Sequence, residues 1–390
     1  MKKIIRHALL LLRSITYYLY TYFHIKDNKL WLFGAWKGTT YNDNSKYLFE
    51  YVLEKHQEIN AFWLTKNQDV YDYLNNKGYP VKFYPSKEAN KMIAEAGYLF
   101  QTEGFKDIGY FPVARAKVIQ LWHGSPIKNL AWFKRNSNAL KDIFIRLENG
   151  DRRKFRWTST SDFYTRFHNK VFDIPIDNFI NTGSPRCDAI MMPGDSLIDK
   201  IKTKNDFNKT ILYLPTHRNW GDDFNFDFIL EGLNIVEKKL SGSNICFVYK
   251  PHPNEANLIK SKIPNFKNII VLDGLSQEQQ DLYGYLYKCD ILVSDYSSVA
   301  IDYLLLDNPI VLFPYDLENY IENDGGVTKE YFDLQVGPFT YSWDQMILKV
   351  LELLENDTWK DKRYAANKFY NEFNDGNSCE KIVDYILNEI

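Results

Sequence analysis

Cysteine is sparse in this 390-residue chain. The four residues, Cys187, Cys246, Cys289 and Cys379, form no Cys-x-x-Cys and no paired spacing. That excludes a disulfide framework and a thiolate zinc site, and it fits a reducing compartment. There is no Walker loop, no G-x-G-x-x-G and no metal-ligand triad, so nothing points to ATP, nicotinamide or metal-centred chemistry. No apolar run approaches the ~20 residues needed to span a bilayer. The net charge of -2 excludes nucleic-acid binding driven by overall charge. Internal repeats and low-complexity tracts are also missing.

The remaining composition is that of a folded chain: 45% hydrophobic and 25% charged, with a surplus of aromatics at 16%. Its length exceeds what one core usually supports, so two domains are expected. Short apolar runs such as "KLWLFGA", "AGYLFQT", "KVIQLWH", "KTILYLPTH" and "DILVSDYSS" end in polar punctuation. They alternate with helical patterns such as Tyr47 to Glu54 and Asp227 to Leu240. Strands buried on both faces of a parallel sheet read this way. The expected fold is α/β, with two doubly wound Rossmann-like domains facing a central cleft. We place the first over residues 28–200 and the second over 201–390, with the linker near "MMPGDS".

Residues 1–27 read separately. Their basic start and apolar stretch resemble a signal peptide, but Arg13 interrupts the run and no small-x-small cleavage site follows. Ile4, Ile5, Ala8, Leu9, Leu12, Ile15 and Leu19 fall on one helical stripe, with Lys2, Lys3, Arg6 and Arg13 supplying positive charge. An amphipathic helix lying on an anionic membrane fits this pattern; so does a terminal helix docked on its own domain.

In doubly wound sheets, ligands bind beyond the carboxyl ends of the strands. The strand ends here hold His123-Gly124-Ser125, Gly183 to Asp188, Thr216-His217-Arg218, Lys250-Pro251-His252-Pro253 and Ser294 to Ser298. Three of the seven histidines sit at such ends. His123, with an ordinary pKa near 6.5, is a workable general base. Lys250 and His252, set among prolines, suit a phosphoryl oxygen. Ser297 and Ser298 read as N-caps of "VAIDYLLL", whose first N–H groups would suit a phosphate; a normally capped helix explains them equally. Asp295 and Asp302 could orient hydroxyls or a cation. The stretch 127–157 holds nine Lys/Arg against three acids, interleaved with aromatics. That suits an anionic membrane, a polyanionic substrate, single-stranded nucleic acid or a solvated hairpin.

Taken in order, "WHGSPIK", "TGSPRCD", "PTHR", "KPHP" and "SDYSSVAIDYLLLDNPIVLF" resemble the CDP-glycerol glycerophosphotransferases of teichoic-acid and capsule synthesis. The resemblance spans nearly the whole chain. It implies a GT-B-type fold and a peripheral enzyme on the cytoplasmic face of the cell membrane. It also implies transfer of glycerol phosphate from CDP-glycerol to a hydroxyl of an undecaprenyl-diphosphate-linked saccharide, releasing CMP, without nucleic acid. On this resemblance His123 takes the acceptor proton, Lys250 and His252 face the donor pyrophosphate, and His252 assists the leaving CMP. Arg186 and Arg218 offer guanidinium groups to phosphate oxygens. Gly124, Ser125, Lys128, Asp188, Ser294, Asp295, Ser297, Ser298 and Asp302 complete the substrate contacts. No cofactor is required, although a divalent cation bridging the pyrophosphate is compatible. Ser125 stands where the family usually has threonine, and His217 where it has an aromatic. The length favours a primase or short-chain transferase. CDP-ribitol as donor, a sugar-transferring GT-B enzyme and a non-catalytic scaffold are the competing readings.

Overall fold

The computed structural model describes residues 2–129, 150–192, 194, 196–216, 218, 226–251, 262–274 and 276–389. They fall into two compact units. One lies within Met1–His123, Lys134–Asp188 and Phe373–Ile390, the other within Gly124–Phe133 and Ala189–Glu372.

The first unit is built on seven parallel strands: β1 (Asp27–Phe33), β2 (Asn60–Thr65), β3 (Val81–Phe83), β4 (Ala96–Gln101), β5 (Lys117–Gln120), β6 (Arg156–Ser159) and β7 (Phe179–Asn181). Their order is β3-β2-β1-β4-β5-β6-β7, so the winding reverses between β1 and β4. Every residue of β4 is buried, as its unbroken apolar run anticipated. The aromatic surplus is spent largely inside: Trp31, Phe33, Trp63, Tyr98 and Phe100 are fully buried, and the rings of Phe33 and Phe100 stack at 4.3 Å. Helices α1 (Lys2–Tyr22), α2 (Asp43–Lys55), α3 (Gln68–Asn76), α4 (Lys87–Glu95), α5 (Asp162–Phe172) and α6 (Pro185–Met191) accompany the sheet.

Helix α1 bears on the second of the two sequence expectations, a terminal helix docked on its own domain. It docks on its own unit through a polar edge, where Ser14 and Thr21 are buried and the Thr21 hydroxyl accepts the Ala114 N–H at 2.9 Å. Its apolar stripe stays outside: Leu9, Leu12, Ile15 and Leu19 are each about half exposed. No described helix is long and apolar enough to cross a membrane.

The second unit carries five parallel strands: β8 (Lys209–Leu214), β9 (Ile245–Tyr249), β10 (Ile269–Val271), β11 (Ile291–Ser294) and β12 (Ile310–Leu312). They are ordered β10-β9-β8-β11-β12 and reverse between β8 and β11. Helices α7 (Phe226–Leu240) and α8 (Trp343–Glu355) pack together on this sheet. A Cβ on Gly232 of α7 would lie 1.9 Å from the Trp343 indole, so only glycine permits that approach.

The units depart from the sequence boundary in three places, the first being Gly124–Phe133, which belongs to the second unit. The chain leaves the first unit after Asp188 rather than at 200, and it returns at Phe373. The reason is the C-terminal helix Ser378–Asn388. Its apolar face, Cys379, Ile382, Val383 and Ile386, completes the core beside α2. A division in simple sequence order cannot register that return.

Candidate functional site

The switch point of the first sheet organises a cavity of about 320 Å³, lined by Lys37, Glu103, Gly104, Lys106, Trp122, His123 and Arg152. Lys37 follows β1, Glu103 to Lys106 follow β4, and Trp122-His123 follow β5, at neighbouring carboxyl ends. The volume lies at the small end of the ligand-pocket range, roughly 300–1,000 Å³.

His123 is half-buried, its Nδ1 3.1 Å from the Thr102 carbonyl oxygen. A carbonyl only accepts, so Nδ1 carries the proton and Nε2 keeps the lone pair in the neutral ring. Burial holds the imidazole below its ordinary pKa, with the nearby Asp43 carboxylate partly opposing it. At neutral pH the ring is therefore a proton acceptor. It stacks on Trp122 at 4.4 Å and lies 5.6 Å from the Trp36 ring.

The backbone around it is unusual. Trp36, Lys37, Asp43 and Trp122 all adopt positive φ, between 47° and 61°, although none is glycine. Such residues persist only where their surroundings fix them. Here the fixtures are explicit. Asn44 Nδ2 donates to the Leu121 and Trp122 carbonyls at 3.1 and 2.9 Å. Arg186 Nη1 lies 2.9 Å from both the His123 carbonyl and Asp43 Oδ1, and Asp43 Oδ2 accepts the Trp36 indole N–H at 3.1 Å. Gly34 makes a further approach possible, since a Cβ there would stand 2.2 Å from the Asp107 carbonyl.

The second unit gathers its own polar cluster at the β8/β11 switch point. Asp295 accepts the N–H and hydroxyl of Thr216 and pairs with Arg218 at 2.8 Å. Arg218 forks onto Asp316 at 2.7 and 2.8 Å and sits 5.1–5.8 Å from the rings of Tyr296, Tyr315 and Tyr320. Lys128 stands 4.0 Å from Asp324. Lys250 follows β9, and burial alone lowers its pKa. It makes no ion pair among the described residues.

Comparison with known proteins then becomes decisive. The family model of CDP-glycerol:poly(glycerophosphate) glycerophosphotransferases matches residues 16–388. The chain belongs to that family. It is 25% identical to the teichoic acid glycerol-phosphate transferase of Staphylococcus aureus, over 99% of this chain and 98% of that protein. Against the teichoic acid poly(glycerol phosphate) polymerase of Staphylococcus epidermidis it is also 25% identical, over 92% of this chain but only 50% of the polymerase. The solved wall teichoic acid polymerase TagF shares its fold, with a TM-score of 0.74 at 20% identity, covering 100% of this chain and 98% of that one.

Within the family frame, several residues singled out by sequence occupy different places from those expected. Arg186 is buried, a brace for His123 rather than an outward phosphate ligand. Asp188 accepts the N–H groups of Ser378 and Cys379 at 3.0 and 2.8 Å, capping the C-terminal helix. The Ser294 hydroxyl donates to the Leu214 carbonyl, and Asp302, fully buried, accepts the Tyr283 hydroxyl at 2.5 Å. The helix after Ser298 is only Val299–Tyr303, and Ser298 makes no side-chain cap. Ser297 Oγ accepts the Val299 N–H at 3.4 Å, and the N–H groups of Ala300 to Asp302 bond within the turn. These four donors are spent internally.

Ser125 is buried, its hydroxyl without a hydrogen-bond partner among the described residues, and Gly124 takes φ 145°. His252, His217 and residues 130–149 of the basic stretch lie outside the described residues. The sequence reading missed Lys37, Glu103 and Lys106. It met Arg152 only as part of a charge run. All but Arg152 follow apolar strands, and knowledge of the strand order would have collected them.

Proposed function

We propose that the chain transfers glycerol phosphate from CDP-glycerol to a hydroxyl of a lipid-linked acceptor in teichoic-acid synthesis, acting as a primase or short-chain transferase. Family membership makes it a glycerophosphotransferase, and one observation carries the residue roles. His123 is neutral, its Nδ1–H is held by Thr102, and it sits in the wall of a cation-lined cavity. The acceptor O–H gives its proton to His123 Nε2 as its oxygen bonds to the phosphorus that carries glycerol. The bond from that phosphorus to the CMP oxygen breaks, and CMP departs with the electron pair. Such a transfer asks the protein mainly for positioning, a base and cationic stabilisation.

The first unit serves the acceptor and the second the donor. Lys250 supplies an ammonium without an ion pair among the described residues for the diphosphate, with His252 beside it in sequence and Lys128 and Ser125 as further polar contacts. Arg218, Asp295, Ser294 and Asp302 shape the second unit's strand ends from within, with Ser297 and Ser298 at the following turn. The exposed stripe of α1 supports peripheral attachment to the anionic cytoplasmic leaflet. Incubation with CDP-glycerol, CDP-ribitol or UDP-sugars and a lipid-linked disaccharide tests the reading. CMP release with glycerol phosphate on the acceptor supports it; exclusive use of CDP-ribitol or release of UDP overturns it.

A further inference from the structure

Lys66 follows β2, one strand beyond the switch point, and its half-buried side chain runs to two walls of the His123 cavity. Its Nζ donates to three backbone carbonyls: those of Lys37 at 3.1 Å, Gly109 at 2.8 Å and Lys106. An ammonium has three N–H bonds and no lone pair, so three carbonyls match it. A neutral amine has only two N–H bonds and would turn its lone pair on one of these oxygens. The Tyr110 ring lies 4.4 Å from Nζ and the Tyr84 ring 5.6 Å, which favours the cation further. The Lys66 backbone N–H also bonds to the Gly38 carbonyl at 2.7 Å, gripping the loop after β1 a second time.

Lys66 is not part of the cavity lining, but Lys37 and Lys106 are. Lys106 and Gly109 flank Asp107 in the chain. Asp107 accepts the Thr102 N–H at 2.8 Å, and the Thr102 carbonyl holds His123 Nδ1 at 3.1 Å. A continuous set of bonds thus runs from the ammonium, through the turn around Asp107, to the base. Resting on the proposed function, we propose that Lys66 is a positioning residue for the transfer, an internal cation whose three N–H bonds hold the loops after β1 and β4 in the shape that His123 requires. Burial brings its pKa down to about 8, with the Asp107 carboxylate opposing that shift and the Lys106 ammonium adding to it. Further titratable neighbours are the phenols of Tyr84 and Tyr110 and, across its carbonyl, the Lys37 ammonium, itself 3.7 Å from Glu103. As pH rises through about 8 one carbonyl loses its donor and the loops loosen. The rate then falls on the alkaline side, where His123 is already in its basic form.

Two measurements on the full chain test this. The first follows kcat from about pH 7 to 9.5 with CDP-glycerol and acceptor both saturating, so that donor affinity does not enter. The unaltered chain should lose about tenfold per pH unit above the Lys66 pKa, as loss of one proton requires. Lys66→Met should start about tenfold or more lower and stay flat, with KM for CDP-glycerol unchanged within about twofold. Lys66→Arg, charged throughout, should recover part of the rate and also lack the alkaline fall. A flat profile in the unaltered chain, an alkaline fall that persists in both variants, or full kcat in Lys66→Met overturns the clamp. The second measures amide hydrogen exchange at Lys37, Thr102 and Glu103, whose N–H groups Asp107 accepts, without substrate. In Lys66→Met these should exchange about tenfold or more faster, while Leu99 and Phe100 in β4 keep their rates. Should Lys66→Met fail to fold, Lys66→Arg decides both measurements. Faster exchange upholds the clamp even if CDP-glycerol is not turned over, an outcome that sinks the proposed function alone. Unchanged exchange at all three residues overturns the clamp.

Discussion

The Asp107 carboxylate accepts the backbone N–H of Lys37 at 2.7 Å, across 70 residues of chain. Its other oxygen takes the N–H groups of Thr102 and Glu103, each at 2.8 Å. One buried carboxylate thus ties the loop after β1 to the loop after β4 and sets two walls of the His123 cavity. Lys66 reinforces the tie by donating to the carbonyls of Lys37, Lys106 and Gly109.

Asp107→Asn turns one acceptor into a donor facing backbone N–H groups. We expect kcat to fall about tenfold or more, because small misplacements of catalytic groups are costly. The pH signature is distinctive. Burial raises the Asp107 pKa from 3.8 to about 6, so the folded state binds more protons than the unfolded one between those values. Its contribution is complete at low pH and is lost as pH rises through about 6, roughly 3 kcal/mol in all. Urea titrations at several pH values should show this slope in the unaltered chain and not in the variant.

The lowered pKa of His123 places the acid limb of the kcat/KM profile below pH 6.5. His123→Gln should retain CDP-glycerol binding while turnover drops about 10²–10⁴-fold. Unaltered turnover would refute the base assignment.

Arg186 and Asp43 form a pair whose side chains are each about 95% hidden from solvent. Arg186→Met leaves the buried Asp43 carboxylate without its counter-ion and should cost about 3–5 kcal/mol in chemical denaturation. Arg186→Lys keeps the charge but cannot reproduce the guanidinium's paired donors, so it should lower kcat while preserving more stability than Arg186→Met. Equal stability of the two variants would contradict the brace.

Lys250 and Arg218 should separate donor binding from folding. Lys250→Met removes a desolvated ammonium without an ion pair among the described residues, so stability should hold or rise while KM for CDP-glycerol increases at least tenfold. Arg218→Lys loses the fork to Asp316 and should destabilise the second unit by about 2 kcal/mol or more. Thermal melts paired with initial rates distinguish the two.

Leu12→Asp and Ile15→Asp alter positions that are 59% and 46% exposed, so melting temperature should not change. Cosedimentation with anionic vesicles should fall, and the remaining binding should weaken as salt rises. Binding indifferent to both substitutions would exclude α1 as the attachment element.

Much of this was legible in the chain itself. Strand positions followed from unbroken apolar runs such as "AGYLFQ", and His123 from its place where such a run stops. Arg186 was visible as a cation, but its task was not: it serves the backbone of residue 123 from 63 positions away. Asp188 and Asp302 likewise looked like ligand carboxylates because a sequence does not show which N–H or hydroxyl will need an acceptor. The cavity cations stayed hidden because β1, β4 and β5 become neighbours only through the sheet's crossover order.

The return of Ser378–Asn388 to the first core has a consequence for biogenesis. During synthesis all seven strands of that unit leave the ribosome long before the segment that seals their apolar flank against α2. The nascent unit must therefore wait, with hydrophobic surface uncovered, while the entire second unit is translated. Chaperone engagement should persist until termination, and premature release upstream of Ser378 should yield an insoluble product.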